Sequence, residues 1–185
     1  MRDKLKNVCI RITDGEHGSI SNEPNGEFYL LNNNNITEDG IVINDKDRRI
    51  SKKDYELIHK RTGLQAGDVV IATCGTLGKT TIITDTDIKY EFSRSVGIIR
   101  CNQTKILPEY LNYYFKLDST QKRIAVLSKG AVQKHFYIGD MEDFEVGYPS
   151  IDVQKGIVNA LGKIDKKIKC NKKINDNLYQ SEMVA

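Results

Sequence analysis

The segment Gly75-Thr76-Leu77-Gly78-Lys79-Thr80 holds the residue types that cradle a phosphate: glycines that let backbone N–H groups approach, and a lysine followed by a hydroxyl. A phosphate-binding loop needs its first glycine five residues before Gly78, and Thr73 stands there instead. The segment also joins two strand-like stretches rather than opening a helix, so a two-glycine turn is the competing reading. Lys79 and Thr80 can still touch a phosphate without any ATPase chemistry. Asp14 and His17 can hydrogen-bond to each other or bind metal, although no third ligand is spaced to join them. Asp85, Asp87 and Lys89 echo a nuclease centre, in which carboxylates hold metal and a lysine stabilises charge. Such spacing is common in a chain with 29% charged residues. His59 on a helix and His135 beside a turn read as structural or surface groups. GxSxG, HExxH and GxGxxG signatures are absent. A phosphate-loop-like nucleotide-binding domain and a metal-dependent nuclease stay as alternatives to a binding role.

The elements that must hold these residues read as short strands, turns and helices. Val8 to Ile12 forms a strand, followed by the polar turn Thr13-Asp14-Gly15-Glu16-His17-Gly18, whose glycines favour display of side chains. Phe28 to Leu31 is a second strand, leading into the asparagine run 32–35. Ser51 caps a helix with Tyr55 and Ile58 on its inner face, and Gly63 ends it. Val69 to Ala72 is an apolar strand with Thr80 to Ile83 as its meander partner, and Phe92 to Ile99 supplies another strand. Pro108 opens a helix carrying Tyr110, Leu111, Tyr114 and Phe115, and Gln121 to Leu127 continues in helical texture until Lys129-Gly130. Asp140 to Tyr148 is a polar lead-in with Phe144 and Val146 at strand spacing.

After Pro149 the texture changes to one lysine-rich helix of about thirty residues, which would reach about 45 Å. Ile157, Leu161, Ile164, Ile168 and Leu178 recur at steps of three and four, drawing an apolar seam along a polar rod. Asn171 and Asn175 fall on the same seam, where polar residues cost stability but select register. A lone rod cannot bury such a seam, so it reads as an arm that needs a helix from a second molecule. Asp152 sits near its start and most lysines lie further along, the order that the helix dipole prefers.

With 185 residues, the chain divides naturally into a globular part, 1–149, and the arm, 150–185. Hydrophobic residues make up 39%, which sets the chain among ordinary globular proteins. The net charge of +3 falls wholly on the arm, while the globular part is balanced. Within it Arg48, Arg49, Lys52 and Lys53 cluster, as do Lys60 with Arg61, and an acidic run extends from Asp140 to Glu145. The four cysteines, Cys9, Cys74, Cys101 and Cys170, form no CxxC pair and read as scattered reduced thiols. No apolar run approaches membrane-spanning length and no signal-peptide core follows Met1, so the cytoplasm is the default location.

Taken in order, these pieces form a more specific set than any one of them. Ile12 to Gly18, Ile36 to Ile43 with its embedded Gly40, and Ile50-Ser51 precede Leu64-Gln65-Ala66-Gly67-Asp68-Val69-Val70-Ile71. Gly75 to Lys79, Tyr110-Leu111 and Pro149 to Gln154 follow, with Ile157, Val158, Leu161 and Asp165 beyond. Over essentially its whole length the chain resembles the specificity subunit of type I restriction-modification systems. The resemblance implies a mixed α/β, α+β-like target-recognition domain followed by a long C-terminal helix, which forms an antiparallel intermolecular coiled coil. Full-length members carry two such units and this chain carries one, so it resembles a half-subunit that homodimerises to read a split, palindromic site in double-stranded DNA.

By the same resemblance the chain is a non-catalytic recognition module. A methyltransferase subunit would use S-adenosylmethionine on adenine, and a restriction subunit would use ATP and Mg2+, so those cofactors belong to partners. The candidate DNA contacts are Asp14, Gly15, His17 and Gly18 in the first turn and Thr73, Gly75, Thr76 and Lys79 in the second. Arg48, Arg49, Lys52 and Lys53 come next as phosphate partners. Asn33 and Asn34 have amides suited to base edges, against a plain role as a polar loop. Ile157, Leu161, Ile164, Ile168, Asn171, Asn175 and Leu178 are the candidate dimerisation residues.

Overall fold

A computed structural model describes residues 1–130 and 134–184, with side-chain surroundings as far as Leu178. The chain opens with β1 (Arg2–Lys4), a single helical turn α1 (Leu5–Val8) and β2 (Cys9–Asp14). The strand expected from Val8 therefore starts one residue later, because Val8 is wholly buried as the last residue of α1. It also runs on through Thr13 and Asp14, so the turn begins at Gly15. Next come β3 (Phe28–Leu31), a 3-10 turn at Asn33–Asn35, β4 (Ile36–Thr37), β5 (Gly40–Ile41) and β6 (Arg48–Ile50).

Helix α2 (Lys52–Thr62) has the anticipated ends. Ser51 Oγ accepts from the Asp54 N–H at 3.0 Å, and Gly63 closes the helix at φ +57°, a left-handed conformation that side chains resist. Strands β7 (Val69–Ala72) and β8 (Thr80–Ile82) are antiparallel neighbours, as their apolar patterns suggest. The stretch expected as one strand from Phe92 to Ile99 is instead two, β9 (Tyr90–Phe92) and β10 (Val96–Cys101). Ser93-Arg94-Ser95 turns the chain between them, with the Val96 N–H donating to the Ser93 carbonyl at 3.1 Å.

Helices α3 (Pro108–Lys116) and α4 (Asp118–Leu127) follow, separated by the extended Leu117. The segment before the arm is not a plain lead-in. It contains a short helix α5 (Ile138–Glu142) and β11 (Glu145–Gly147), which pairs with β1. The long helix α6 spans Ile151–Val184, 34 residues or about 51 Å. Ala185, the last residue of the expected arm, lies outside the described residues.

The central sheet runs β2-β10-β7-β8, all antiparallel, and a second sheet runs β6-β3-β9 with β3 and β9 parallel. Both faces of the central sheet are covered, which explains why all four residues of β7 are buried. Val69, Ile71 and Ile99 point into a core with Leu111, Phe115 and Phe144 from the helical side. Val70, Ala72 and Ile98 alternate into a second core with Leu31, Phe92 and Ile36. A small third cluster of Leu30, Ile50 and Ile58 lies under α2. The architecture is thus a mixed α/β domain followed by a long helix. All four cysteines are free thiols, as expected, but Cys9 and Cys101 are not far apart: the β2–β10 pairing makes them cross-strand neighbours.

The Leu64–Ile71 stretch acts as a structural corner. Asp68, 1% exposed, accepts the Gln65 N–H and both ends of the Arg100 guanidinium fork, each at 2.8 Å. That pair ties the entry of β7 to β10.

Candidate functional site

Five loops meet at one end of the central sheet, around Ser93-Arg94-Ser95. The Gly15 N–H donates to the Val96 carbonyl at 3.1 Å, the Glu16 N–H to Phe92 at 2.7 Å, and the Arg94 N–H back to Glu16 at 2.8 Å. Gly15 is required by this close approach, because a Cβ there would stand 2.1 Å from the Phe92 carbonyl oxygen. On the other side, the Thr73 N–H donates to Ser95 at 2.9 Å and its hydroxyl to the Arg94 carbonyl at 3.2 Å. The Asn33 N–H reaches Ser95 Oγ at 3.2 Å, and Thr76 Oγ1 donates to the Asn33 carbonyl at 3.4 Å. The Phe136 N–H closes the ring by donating to Thr73 at 2.8 Å.

These loops line a cavity of about 390 Å³ bordered by Asp14, His17, Thr73, Arg94, His135 and Tyr137. His17 Nε2 lies 2.7 Å from Asp14 Oδ2, so the pair expected from their spacing forms. Arg61 braces the turn from α2. Its guanidinium donates to the Asp14 carbonyl at 3.0 Å and to Gly15 at 2.6 Å, with the Glu16 carboxylate 3.7 Å away. The Gly18 N–H donates to Glu16 Oε1 at 2.6 Å. Gly75, at φ +66°, lets the chain pass beside the Asn33 amide.

Asp14, His17, Gly18, Asn33, Gly75 and Thr76 are therefore gathered at one end of the sheet, whereas Gly15 and Thr73, expected as DNA contacts, are buried beneath them as scaffold. Asn34 stands exposed beside Asn33, whereas Asn35 is buried as scaffold, bonding Val42 at 2.8 Å and Asp47 at 2.6 Å. Lys79 lies half-buried at the far end of its loop, where its N–H donates to Thr76 at 3.0 Å. Arg48 borders an adjoining cavity of about 490 Å³ together with Asn32 and Ser93. Arg49 is turned to structural use, donating to Gly26 at 3.2 Å and lying 4.9 Å over the Tyr29 ring. Lys52 and Lys53 stand exposed on the first turn of α2, Lys52 facing Glu56 at 3.8 Å.

Arg94, Arg61, His135 and Tyr137 are the site residues that spacing alone passed over. Arg94 carries a legible signal: a serine-flanked arginine between two strand-like stretches is an exposed turn, not a strand position. His135 and Tyr137 stack at 5.7 Å, a contact between residues two apart that periodicity does not reveal.

The two catalytic alternatives do not assemble. The Gly75–Thr80 loop runs from β7 into β8, so no helix N-terminus stands behind it. Asp85 accepts the Tyr90 hydroxyl at 2.7 Å and Lys89 lies 3.8 Å from Asp87. Among the described residues no group of three His, Cys, Asp or Glu side chains converges as a metal would need. The buried titratable centre lies elsewhere: Glu91, wholly buried, accepts Thr62 at 2.8 Å and lies 2.7 Å from His59 Nδ1. Burial pushes its carboxyl up, against the opposing pull of those two partners.

Helix α6 leaves the domain through polar anchors. Gln154 is wholly buried, accepting the Leu107 N–H at 2.9 Å and donating to Lys105 at 2.9 Å and Pro149 at 3.0 Å. Tyr113 donates to Asp165 at 2.6 Å, and Lys169 meets Asp39 at 3.1 Å. Along the seam Leu161 is 36% exposed, Ile164 54%, Ile168 48% and Leu178 57%, with Ile168 also bordering a cavity between α6 and the domain beside Asp165 and Lys169. Among the described residues no helix is long and apolar enough to cross a membrane.

The fold is a mixed α/β domain ending in a long helix, and a family of DNA specificity domains matches it along nearly its whole length. The type I restriction modification DNA specificity domain family matches residues 6–180, and the chain belongs to that family. It is 27% identical over 126 residues to the type I restriction enzyme EcoBI specificity subunit of Escherichia coli, covering 68% of this chain and 26% of that protein. Two solved structures share the fold at 15% identity and a TM-score of 0.61. One is the type I restriction-modification S subunit from M. genitalium, covering 91% of this chain and 40% of that one. The other is the HsdS subunit from Thermoanaerobacter tengcongensis, covering 94% and 39%. The chain thus spans about a quarter of the curated relative and two-fifths of the solved ones.

Proposed function

We propose that this chain is the DNA-recognition part of a type I restriction-modification complex, a half-subunit that reads one half of a split site and pairs with a second copy to read the other. Residues 1–149 are the target-recognition domain and 150–185 the spacer and dimerisation helix. The observation that carries the reading is the joint one: a specificity-domain match across residues 6–180, and a single helix whose apolar seam is 36–57% exposed at Leu161, Ile164, Ile168 and Leu178. Two copies related by a twofold axis would read an inverted repeat, with the rod setting the gap.

In this reading the loop surface around Arg94 meets DNA. Lys79, Arg48, Lys52 and Lys53 supply charge to phosphates, and Asn33, Asn34 and the Asp14–Gly18 turn approach base edges. Methylation of adenine and cleavage belong to partner subunits, which hold S-adenosylmethionine, ATP and Mg2+. This chain tells them where to act. Copurification with a type I methyltransferase subunit, followed by sequencing of methylated sites, tests the reading. A palindromic split motif is expected; failure to bind either the subunit or duplex DNA would overturn it.

A further inference from the structure

We propose that α6 pairs with α6 of a second copy of this chain in one antiparallel register, with Leu161 opposite Leu178 of the second copy and the twofold axis between Lys169 and Cys170. The proposal rests on the homodimer reading above and adds the register, which is what sets the distance between the two domains.

Charge on the flanks selects the register. Leu161, Ile168 and Asn175 occupy one row of the seam and Ile164, Asn171 and Leu178 the other, a heptad pattern. Asp165 and Lys172 flank the first row, and Lys167 and Ile174 flank the second. In an antiparallel pair each row meets the opposite row of the second copy, while each flank meets the same flank. Three registers, one heptad apart, overlap the seam.

With Leu161 opposite Leu178, the nearest flanking partner of Asp165 is Lys172 of the second copy, and symmetry makes that pair twice. Lys167 then meets Ile174. Sliding one heptad so that Leu161 meets Asn171 sets Asp165 against itself and Lys167 against itself. It also sets Leu178 opposite Gln154, which is wholly buried in the domain. Sliding the other way, so that Ile168 meets Leu178, sets Lys172 against itself. A parallel pair opposes Lys167 to Lys172 on both flanks. Like charges held opposite each other destabilise a helix pair, so a single register is free of them.

The local structure is compatible with the pairing. Tyr113 occupies only Oδ2 of Asp165, and Lys172 is exposed at the rim of the cavity it borders with Asp39 of its own domain. Asp165 and Lys169 bind the chain's own domain on the flank beside the first row. Since that flank meets its own equivalent, the two domains sit on one side of the rod, and the two Ile151 residues stand about 55 Å apart along it. A one-heptad slip would change that by about 10 Å, or about three base pairs of DNA.

Cysteine pairing in a Cys170→Ser background tests the register. Mixed Leu161→Cys and Leu178→Cys copies should form a disulfide-linked dimer at least tenfold more than Leu161→Cys with Asn171→Cys, or Ile168→Cys with Leu178→Cys. Cross-linking in either of the latter pairs overturns the register, and cross-linking of Leu161→Cys with itself shows a parallel pair. Asp165→Lys alone should weaken dimerisation about tenfold, and adding Lys172→Asp should restore it. Loss unrelieved by the second change counts against the pairing. Sedimentation of the Cys170→Ser chain separates the two levels: a monomer overturns the homodimer reading, whereas a dimer with another cross-linking pattern overturns only the register.

Discussion

The Tyr113 hydroxyl on α3 donates to Asp165 on α6 at 2.6 Å, fixing the direction in which the long helix leaves the domain. Burial first, and then the Asp165 carboxylate, push the Tyr113 hydroxyl up to about 12. A tyrosine raised in the folded state contributes stability that is fully present below its unfolded pKa, about 10, and lost as pH rises through about 12. Tyr113→Phe should therefore lower stability by about 1 kcal/mol at neutral pH and flatten the decline between pH 10 and 12. Urea unfolding of both proteins across that range checks the sign.

Gln154 bridges α6 to the segment before α3, filling its amide with one backbone N–H and two carbonyls. Gln154→Ala strands all three in a buried place, at a cost of about 2–4 kcal/mol. Chemical denaturation should record that loss, and hydrogen exchange should speed up at Leu107. A neutral result would mean that water replaces the amide.

Gly15→Ala should disturb the loop surface far more than Gly18→Ala. The new Cβ at Gly15 meets the backbone oxygens of Phe92 and Ser93 at 2.1 and 2.3 Å, whereas at Gly18 it meets the movable Glu16 carboxylate at 2.9 Å. The expected difference is about 2 kcal/mol or more in thermal or denaturant unfolding. Equal effects would show that the turn 15–18 relaxes freely.

Arg94 is exposed, so Arg94→Ala should leave stability within about 0.5 kcal/mol while weakening DNA binding. If it contacts phosphate, affinity falls alike for matched and scrambled duplexes and the salt dependence drops by about one counterion. If it reads a base, the loss of about 1–3 kcal/mol is confined to the matched site. Lys79→Ala should follow the phosphate pattern. Titrations at several salt concentrations separate the two, and unchanged binding by both variants would move the interface elsewhere.

Much of this arrangement was legible in residue order wherever one local rule dominated. Ser51 and Gly63 delimit α2 because cap and left-handed glycine are local devices, and β7 announces itself by four consecutive apolar residues. The arm is readable because its periodicity runs on through steps of three and four. The site was only half readable. Its turns carry glycine and asparagine signals, but Arg61 reaches Gly15 from 46 residues away. Asn35 is marked locally only by its place three residues after Asn32, whose N–H it accepts at 2.9 Å, and its burial comes from partners further along the chain at Val42 and Asp47. The break at Ser93–Ser95 has a local mark in its serine-flanked arginine, but the parallel pairing of β9 with β3, which sends β9 and β10 into different sheets, is not readable from either strand alone.

Equilibrium sedimentation of the unsubstituted chain beside Ile164→Glu with Ile168→Glu tests the central claim most directly, namely that the seam of α6 joins two copies. Twice the mass of one chain is expected for the former, and one chain's mass with an intact domain for the latter. A stable monomer of the unsubstituted chain at concentrations that support DNA binding would contradict it.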